Sequence, residues 1–110
     1  MARVLVVDDD RAALELRKLV LERAGHLVTT AASLAEARAA DRAEVVILDL
    51  RVPELEDGLA LIREFHSAGS RVVVLCGNCA DLEGRAEAAL VDAVVAKPAR
   101  SEVLLKALNR

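Results

Sequence analysis

Aromatic side chains are almost absent from this sequence, which has one phenylalanine, Phe65, and neither tryptophan nor tyrosine. Domains that bind nucleic acid by base stacking need aromatic platforms, and contacts with the phosphate backbone need an excess of Lys and Arg. This chain instead carries a formal net charge of −3. We therefore expect these residues to make no direct contact with nucleic acid.

Long apolar runs are missing as well. No stretch reaches the roughly 18 to 20 apolar residues that a membrane-spanning helix needs. The N-terminal residues also lack the basic, apolar and cleavage regions of a signal peptide. We therefore expect a cytoplasmic protein that makes no contact with a membrane. Its two cysteines, Cys76 and Cys79, are accordingly expected to be reduced thiols.

Apolar residues are abundant, at 55% of the 110 residues, which is enough for the core of one compact domain spanning 1–110. Apolar runs of strand length alternate with helical patterns, at 4–7, 26–30, 45–48, 72–75 and 94–96. Continuous Val- and Ile-rich runs are typical of strands buried on both faces of a parallel sheet, whereas the more polar second run is typical of an edge strand. The alternation predicts an α/β fold, a (βα)5 unit with helices on both faces of the sheet.

The first two helical segments have recognisable boundary signals. Asp10 is placed to cap the first helix and Gly25 to end it. Ser33 and Glu36 have the spacing of a capping box for the second helix. The inward-facing residues of the first helix are predicted to be Ala13, Leu16, Leu19 and Val20.

The last three helices are predicted at 58–68, at 81–90 and after Ser101 as cap. The middle one is the weakest, because Gly84 interrupts it at a cost of about 1 kcal/mol relative to Ala. The acidic residues before the first of them, Glu54, Glu56 and Asp57, are expected to form a solvated loop. The residues predicted to face the sheet are Leu61, Ile62, Phe65, Val103, Leu104, Ala107 and Leu108.

Charged residues follow several of the predicted strands at the same edge of the sheet. The first strand is followed by Asp8, Asp9 and Asp10, the third by Asp49 and the fifth by Lys97. A single Asp after a strand is usually a helix cap, which suits Asp10. Clustered carboxylates repel one another and favour a hard divalent cation such as Mg2+, while a lysine attracts an anion. Together they predict a site for phosphoryl transfer.

Four segments in order, Val4 to Asp10, Val45 to Pro53, Asp57-Gly58 and Ala96 to Pro98, resemble the receiver domain of bacterial two-component response regulators. The resemblance covers essentially the whole chain. It implies a flavodoxin-like three-layer sandwich with a five-stranded parallel sheet of order 2-1-3-4-5. It also implies a phosphoacceptor switch in a phosphorelay, rather than an enzyme, with at most weak self-dephosphorylation.

The resemblance assigns roles to individual residues. Asp49 is the phosphoacceptor, which takes a phosphoryl group from a histidine kinase or phosphotransfer protein and so changes binding to a downstream effector protein or domain. Mg2+ is held by Asp8, Asp9, Asp49 and the backbone carbonyl of Arg51. Lys97 binds a phosphoryl oxygen, and the Lys97–Pro98 peptide bond is cis.

Two positions depart from the family pattern. Cys76 stands where the family has Thr or Ser, so its contact with the phosphoryl group is expected to be weaker, because a thiol is a poor hydrogen-bond donor. Val94 stands where the family has an aromatic ring that moves on activation. These losses leave open a degenerate receiver that acts as a phosphorylation-independent interaction module.

Two further hypotheses rest on short motifs. Asp8 and Asp10 also match the DxD pattern of haloacid-dehalogenase-like phosphohydrolases, in which Asp8 would be the nucleophile and Asp10 the general acid. That family needs a longer chain, however, and the hypothesis leaves Asp49 without a role. Cys76 and Cys79 form a CxxC motif after a strand. The simpler interpretation is that Cys76 replaces a hydroxyl and Cys79 fills a small gap. The alternative is that a Cys76–Cys79 disulfide forms on oxidation and reduces the response to phosphorylation.

Overall fold

The computed structural model describes residues 2–108, which alternate between strands and helices. The strands are β1 (Arg3–Val7), β2 (Leu27–Ala31), β3 (Val45–Asp49), β4 (Arg71–Cys76) and β5 (Ala93–Ala96). The α-helices are α1 (Arg11–Arg23), α2 (Leu34–Ala39), α3 (Leu55–Ser67) and α4 (Ser101–Leu108). Two 3-10 helices, Cys79–Leu82 and Ala86–Leu90, lie between β4 and β5.

The five strands form one parallel sheet in the order β2-β1-β3-β4-β5, which confirms the predicted flavodoxin-like topology. The more polar second strand lies at an edge, as expected. β3 is buried along its whole length, because it lies at the centre of the sheet and is covered on both faces. This arrangement brings the carboxyl ends of β1, β3, β4 and β5 to one edge.

Two separate apolar cores cover the two faces of the sheet. On one face, Leu14 and Leu21 of α1 and Leu104 of α4 pack against alternate residues of the strands. On the other face, Leu59 and Ile62 of α3 pack with residues from α2 and from the segment after β4. The protein is therefore the three-layer sandwich that was predicted.

The predicted inward face of α1 is wrong for its two leucines, whereas Ala13 and Val20 are partly buried. Leu16 is 63% exposed and Leu19 is 46% exposed, whereas Leu14 and Leu21 are buried. A leucine-rich helix satisfies more than one stripe of 3.6-residue period, so the sequence pattern alone does not choose between them. In the fold, the inward stripe runs through Leu14, Arg17 and Leu21.

The second helix begins with Ser33 as cap, but the reciprocal half of the box is different. The Ser33 hydroxyl accepts a hydrogen bond from the Glu36 N–H, as predicted, while the Glu36 carboxylate accepts from the N–H of Ala32 rather than that of Ser33. α1 behaves as predicted at both ends, since the Asp10 carboxylate caps it and Gly25 follows it with a φ of +95°.

The third helix begins three residues earlier than predicted, at Leu55. The Asp57 carboxylate accepts a hydrogen bond from the Glu54 N–H there, and the Asp57 N–H donates to the Glu54 backbone carbonyl. The expectation of a loop is therefore wrong for Glu56 and Asp57, which lie in the first turn of α3. Glu54 and Glu56 are exposed to solvent, as expected. Leu61 and Ile62 are buried as predicted, and Phe65 is half-buried against the same core.

The predicted helix at 81–90 is replaced by the two 3-10 helices. Gly84 lies between them with a φ of +73°, a left-handed conformation that ends the first and prevents a continuous α-helix. In α4, Ser101 is the first helical residue rather than the cap, and Val103 is 44% exposed instead of buried. The other three predicted contacts of α4 with the sheet are present.

None of the helices among residues 2–108 is both long enough and apolar enough to cross a membrane.

Candidate functional site

Three carboxylates meet where β1 and β3 end. Asp8 and Asp9 follow β1 directly, and Asp49 is the last residue of the neighbouring β3. One carboxylate oxygen from each of the three residues lies within 4.8 Å of the other two. Asp8 and Asp49 are buried and Asp9 is exposed, so a small cation reaching this cluster would find oxygen ligands of the kind that Mg2+ prefers.

Lys97 reaches this cluster from the other side. Its backbone N–H donates to the carbonyl of Cys76, which fixes the chain at the end of β5 against β4. Its Nζ lies 2.9 Å from Oδ2 of Asp49 and 3.9 Å from Oδ2 of Asp8. The Lys97–Pro98 bond is cis, as expected, and so is the Val52–Pro53 bond.

Arg17 is the site residue that sequence reasoning missed. Its guanidinium Nη1 lies 2.5 Å from Oδ2 of Asp8, and its side chain is only 16% exposed. A signal was present in the sequence, because Arg17 is a charged residue in the middle of the Leu14–Leu21 stripe that faces the sheet. A buried charge at such a position needs a partner.

The two buried carboxyl groups are shifted in opposite directions. Burial alone would raise the pKa of Asp8, but the hydrogen bond from the Asp10 N–H and the charge of Arg17 outweigh it and hold that pKa below its usual value. Burial raises the pKa of Asp49, and the negative charge of Asp8 adds to this effect against the opposing hydrogen bond from Lys97. Arg17 therefore compensates mainly Asp8, and Asp49 depends on Lys97.

A cleft of about 340 Å³ opens beside Asp49, and Asp9, Arg51, Cys76 and Asp81 are among the residues that line it. The Arg51 side chain crosses to the segment after β4 and forms an ion pair of 2.7 Å with Asp81. The Arg51 backbone N–H lies 3.5 Å from Oδ1 of Asp49, which keeps the residue next to the acidic cluster.

Cys76 and Cys79 are joined by a disulfide, with their Cα atoms 5.2 Å apart. The expectation of two reduced thiols is therefore wrong for this structure. Cys76 is the last residue of β4 and is 1% exposed, and Cys79 is half-buried at the start of the 3-10 segment. The bond lies beside the cleft that contains Asp49. Val94, at the other departure from the family pattern, is 49% exposed.

The structure argues against the phosphohydrolase hypothesis, because Asp10 is not free to act as a general acid. One carboxylate oxygen of Asp10 accepts hydrogen bonds from the N–H groups of Ala12 and Ala13, so this side chain serves as the cap of α1. Asp49, which that hypothesis leaves without a role, is instead at the centre of the charged cluster.

Comparison with known protein families gives matches to a single family. The sequence profile of the response regulator receiver domain matches residues 4–109. Response regulator MprA of Mycolicibacterium vanbaalenii is 37% identical over 109 residues, and that of Mycobacterium ulcerans is 36% identical. Each alignment covers 94% of this chain and 47% of the relative, so the chain spans about half the length of the curated relatives that it matches.

Solved structures give the same result. A CheY-like response regulator receiver domain from Methylobacillus flagellatus superposes with a TM-score of 0.87 at 28% identity, over 99% of this chain and 97% of that one. A response regulator, TrrA, from Thermotoga maritima, solved in complex with Mg2+-BeF, gives a TM-score of 0.86 at 25% identity over the same shares of the two chains.

Proposed function

This chain belongs to the response regulator receiver domain family, and from that premise we propose that residues 1–110 form one receiver domain whose Asp49 accepts a phosphoryl group. The observation that carries the proposal is the position of the Asp49 carboxylate, 2.9 Å from Lys97 Nζ and within 4.8 Å of the acidic pair Asp8 and Asp9. A nucleophile, a cation for the phosphoryl oxygens and a set of hard-metal ligands therefore lie together.

In the proposed reaction, one carboxylate oxygen of Asp49 attacks the phosphorus of a phosphohistidine. The new O–P bond replaces the P–N bond, and the leaving imidazole takes up a proton. Lys97 neutralises charge on the phosphoryl oxygens. Asp8, Asp9, Asp49 and the backbone carbonyl of Arg51 are the proposed ligands of Mg2+, which when bound supplies further charge neutralisation.

The partners follow from the family. We expect a histidine kinase or phosphotransfer protein as donor and an effector protein or domain as the recipient of the signal, all in the cytoplasm. Cys76 takes the position of the family hydroxyl beside the phosphoryl group. The degenerate-receiver alternative is not favoured, because the acceptor, the acidic pair and the lysine are all present and mutually in contact or close proximity.

Phosphorylation of the reduced protein by acetyl phosphate tests the proposal. With Mg2+ present, intact-mass spectrometry should detect one added phosphoryl group that hydroxylamine removes, as it does an acyl phosphate. Asp49→Asn should abolish the addition, because an amide is not a nucleophile here. Asp10→Asn is the matched control, because Asn caps a helix as well as Asp does and the Asp10 carboxylate lies outside the proposed site. Continued labelling of the Asp49→Asn variant would exclude Asp49 as the acceptor.

A further inference from the structure

We infer that Cys76 and Cys79 are a reversible dithiol–disulfide site for small-molecule disulfides, and that closing the bond slows phosphoryl acceptance at Asp49. The inference rests on the proposed function for its second half only. Formation of the bond is a property of the two sulfur atoms and is measured independently of phosphorylation.

The backbone already suits the bond. The two Cα atoms are 5.2 Å apart, inside the range of about 4.4 to 6.8 Å over which disulfides form. Cys76 is held at the end of β4, where its carbonyl accepts a hydrogen bond from the N–H of Lys97. Cys79 follows after only Gly77 and Asn78, both exposed. Formation and cleavage of the bond therefore require no rearrangement of the sheet.

The difference in exposure sets the order of the reaction. Cys79 is half-buried and reachable by a small molecule, whereas Cys76 is 1% exposed. The Cys79 thiolate attacks a sulfur atom of oxidised glutathione, forms a mixed disulfide and releases one glutathione. The Cys76 thiolate then attacks the Cys79 sulfur and displaces the second glutathione. The two protein thiols lose two electrons and two protons, and one glutathione disulfide becomes two glutathione thiols.

The consequence for Asp49 follows from what the bond joins. It ties the end of β4 to the 79–82 segment, and Asp81 of that segment forms the 2.7 Å ion pair with Arg51, two residues after Asp49. Cys76 and Asp81 both line the cleft beside Asp49. The disulfide thus holds the far wall of this cleft and its ion pair in one position.

Oxidation also removes a hydrogen-bond donor. A reduced Cys76 has an S–H that can donate to a phosphoryl oxygen, even if weakly, and a disulfide sulfur has none. The oxidised protein consequently offers the incoming phosphoryl group fewer donors and a less adaptable cleft. We expect it to be phosphorylated at least threefold more slowly than the reduced protein.

The experiment compares one protein in two redox states. Protein is equilibrated with dithiothreitol or with oxidised glutathione, and free thiols are counted by alkylation and mass spectrometry. Phosphorylation by acetyl phosphate and Mg2+ is then timed in each sample. We expect two alkylated thiols after reduction, none after oxidation, and the slower rate in the oxidised sample, with recovery when dithiothreitol is added back.

Cys79→Ser is the matched variant, because it keeps the Cys76 thiol in the cleft but cannot form the bond. It should be phosphorylated at the rate of the reduced wild type in both redox conditions. Two free thiols after treatment with oxidised glutathione would overturn the inference, and so would equal rates for the oxidised and reduced wild type. If neither redox state is phosphorylated, the proposed function and the gating half of this inference both fail, while the thiol count still decides whether the redox site exists.

Discussion

Replacing Gly58 with Ala is expected to destabilise the protein through a single atom. A Cβ added at Gly58 would overlap the carbonyl oxygen of Leu50 and lie 2.6 Å from its carbonyl carbon. These are backbone atoms, so no side-chain rotation relieves the overlap. Leu50 is 2% exposed and its N–H donates to the carbonyl of Leu75, and Gly58 and Leu59 of α3 are buried, so neither side of the contact moves freely.

The size of the effect is the difference between two terms. Overpacking of a well-packed site costs about 1 to 3 kcal/mol, and we take the upper end because the clash is with backbone. Ala is better than Gly inside a helix by about 1 kcal/mol, which offsets part of it. The net loss is therefore about 2 kcal/mol, or roughly 8 to 16 °C in Tm for a domain of this size.

Urea unfolding followed by far-UV circular dichroism measures this loss. Gly77→Ala is the matched control, because no atom lies within 4 Å of an added Cβ there and its effect should stay within about 0.5 kcal/mol. Equal stability of the Gly58→Ala variant and the wild type would refute the reasoning, since it would mean that Leu50 and α3 separate at no cost.

Two further predictions concern the charged cluster in metal-free buffer. Asp49→Asn should raise Tm at pH 7. The pKa of Asp49 is raised in the folded protein, so its ionised form destabilises the folded state, and the substitution removes this cost. Calorimetry measures the increase, which is about 4 to 8 °C for each kcal/mol of stability gained. Asp9→Asn, which removes the exposed carboxylate of the cluster, is the control. A Tm of the Asp49→Asn variant no higher than that of Asp9→Asn would contradict the prediction. Arg17→Met should cost roughly 3 kcal/mol at pH 7, as removal of one partner of a buried ion pair does. Because the pKa of Asp8 is lowered in the folded protein, its ion pair with Arg17 stabilises the fold above the unfolded pKa of 3.8, and this stabilisation is lost as the pH falls below that value. Urea unfolding should therefore show that the difference in stability between the variant and the wild type becomes smaller at low pH. A gap that is the same at pH 7 and pH 3 would disprove the role of Asp8.

Most of the fold and the centre of the site follow from the sequence alone. Apolar runs and helical patterns are local signals, and five of each in alternation leave little choice other than a parallel sheet with helices on both faces. In such a sheet the ends of neighbouring strands share one edge, so Asp8, Asp9, Asp49 and Lys97 were predicted to meet there. The resemblance to receiver domains supplied the strand order, which periodicity does not contain.

Only the tertiary structure decided which face of α1 is buried, and with it the role of Arg17. Two stripes of the same period exist in that helix, and the buried one places Leu14 and Leu21 in the core and Arg17 against the Asp8 carboxylate, contacts between residues in different elements. The segment after β4 was decided in the same way. Its two 3-10 helices, its ion pair between Asp81 and Arg51, and the approach of Cys79 to Cys76 depend on how that segment packs beside β4 and α3. Local patterns predict elements, whereas the partners of buried charges and sulfur atoms depend on the packing between elements.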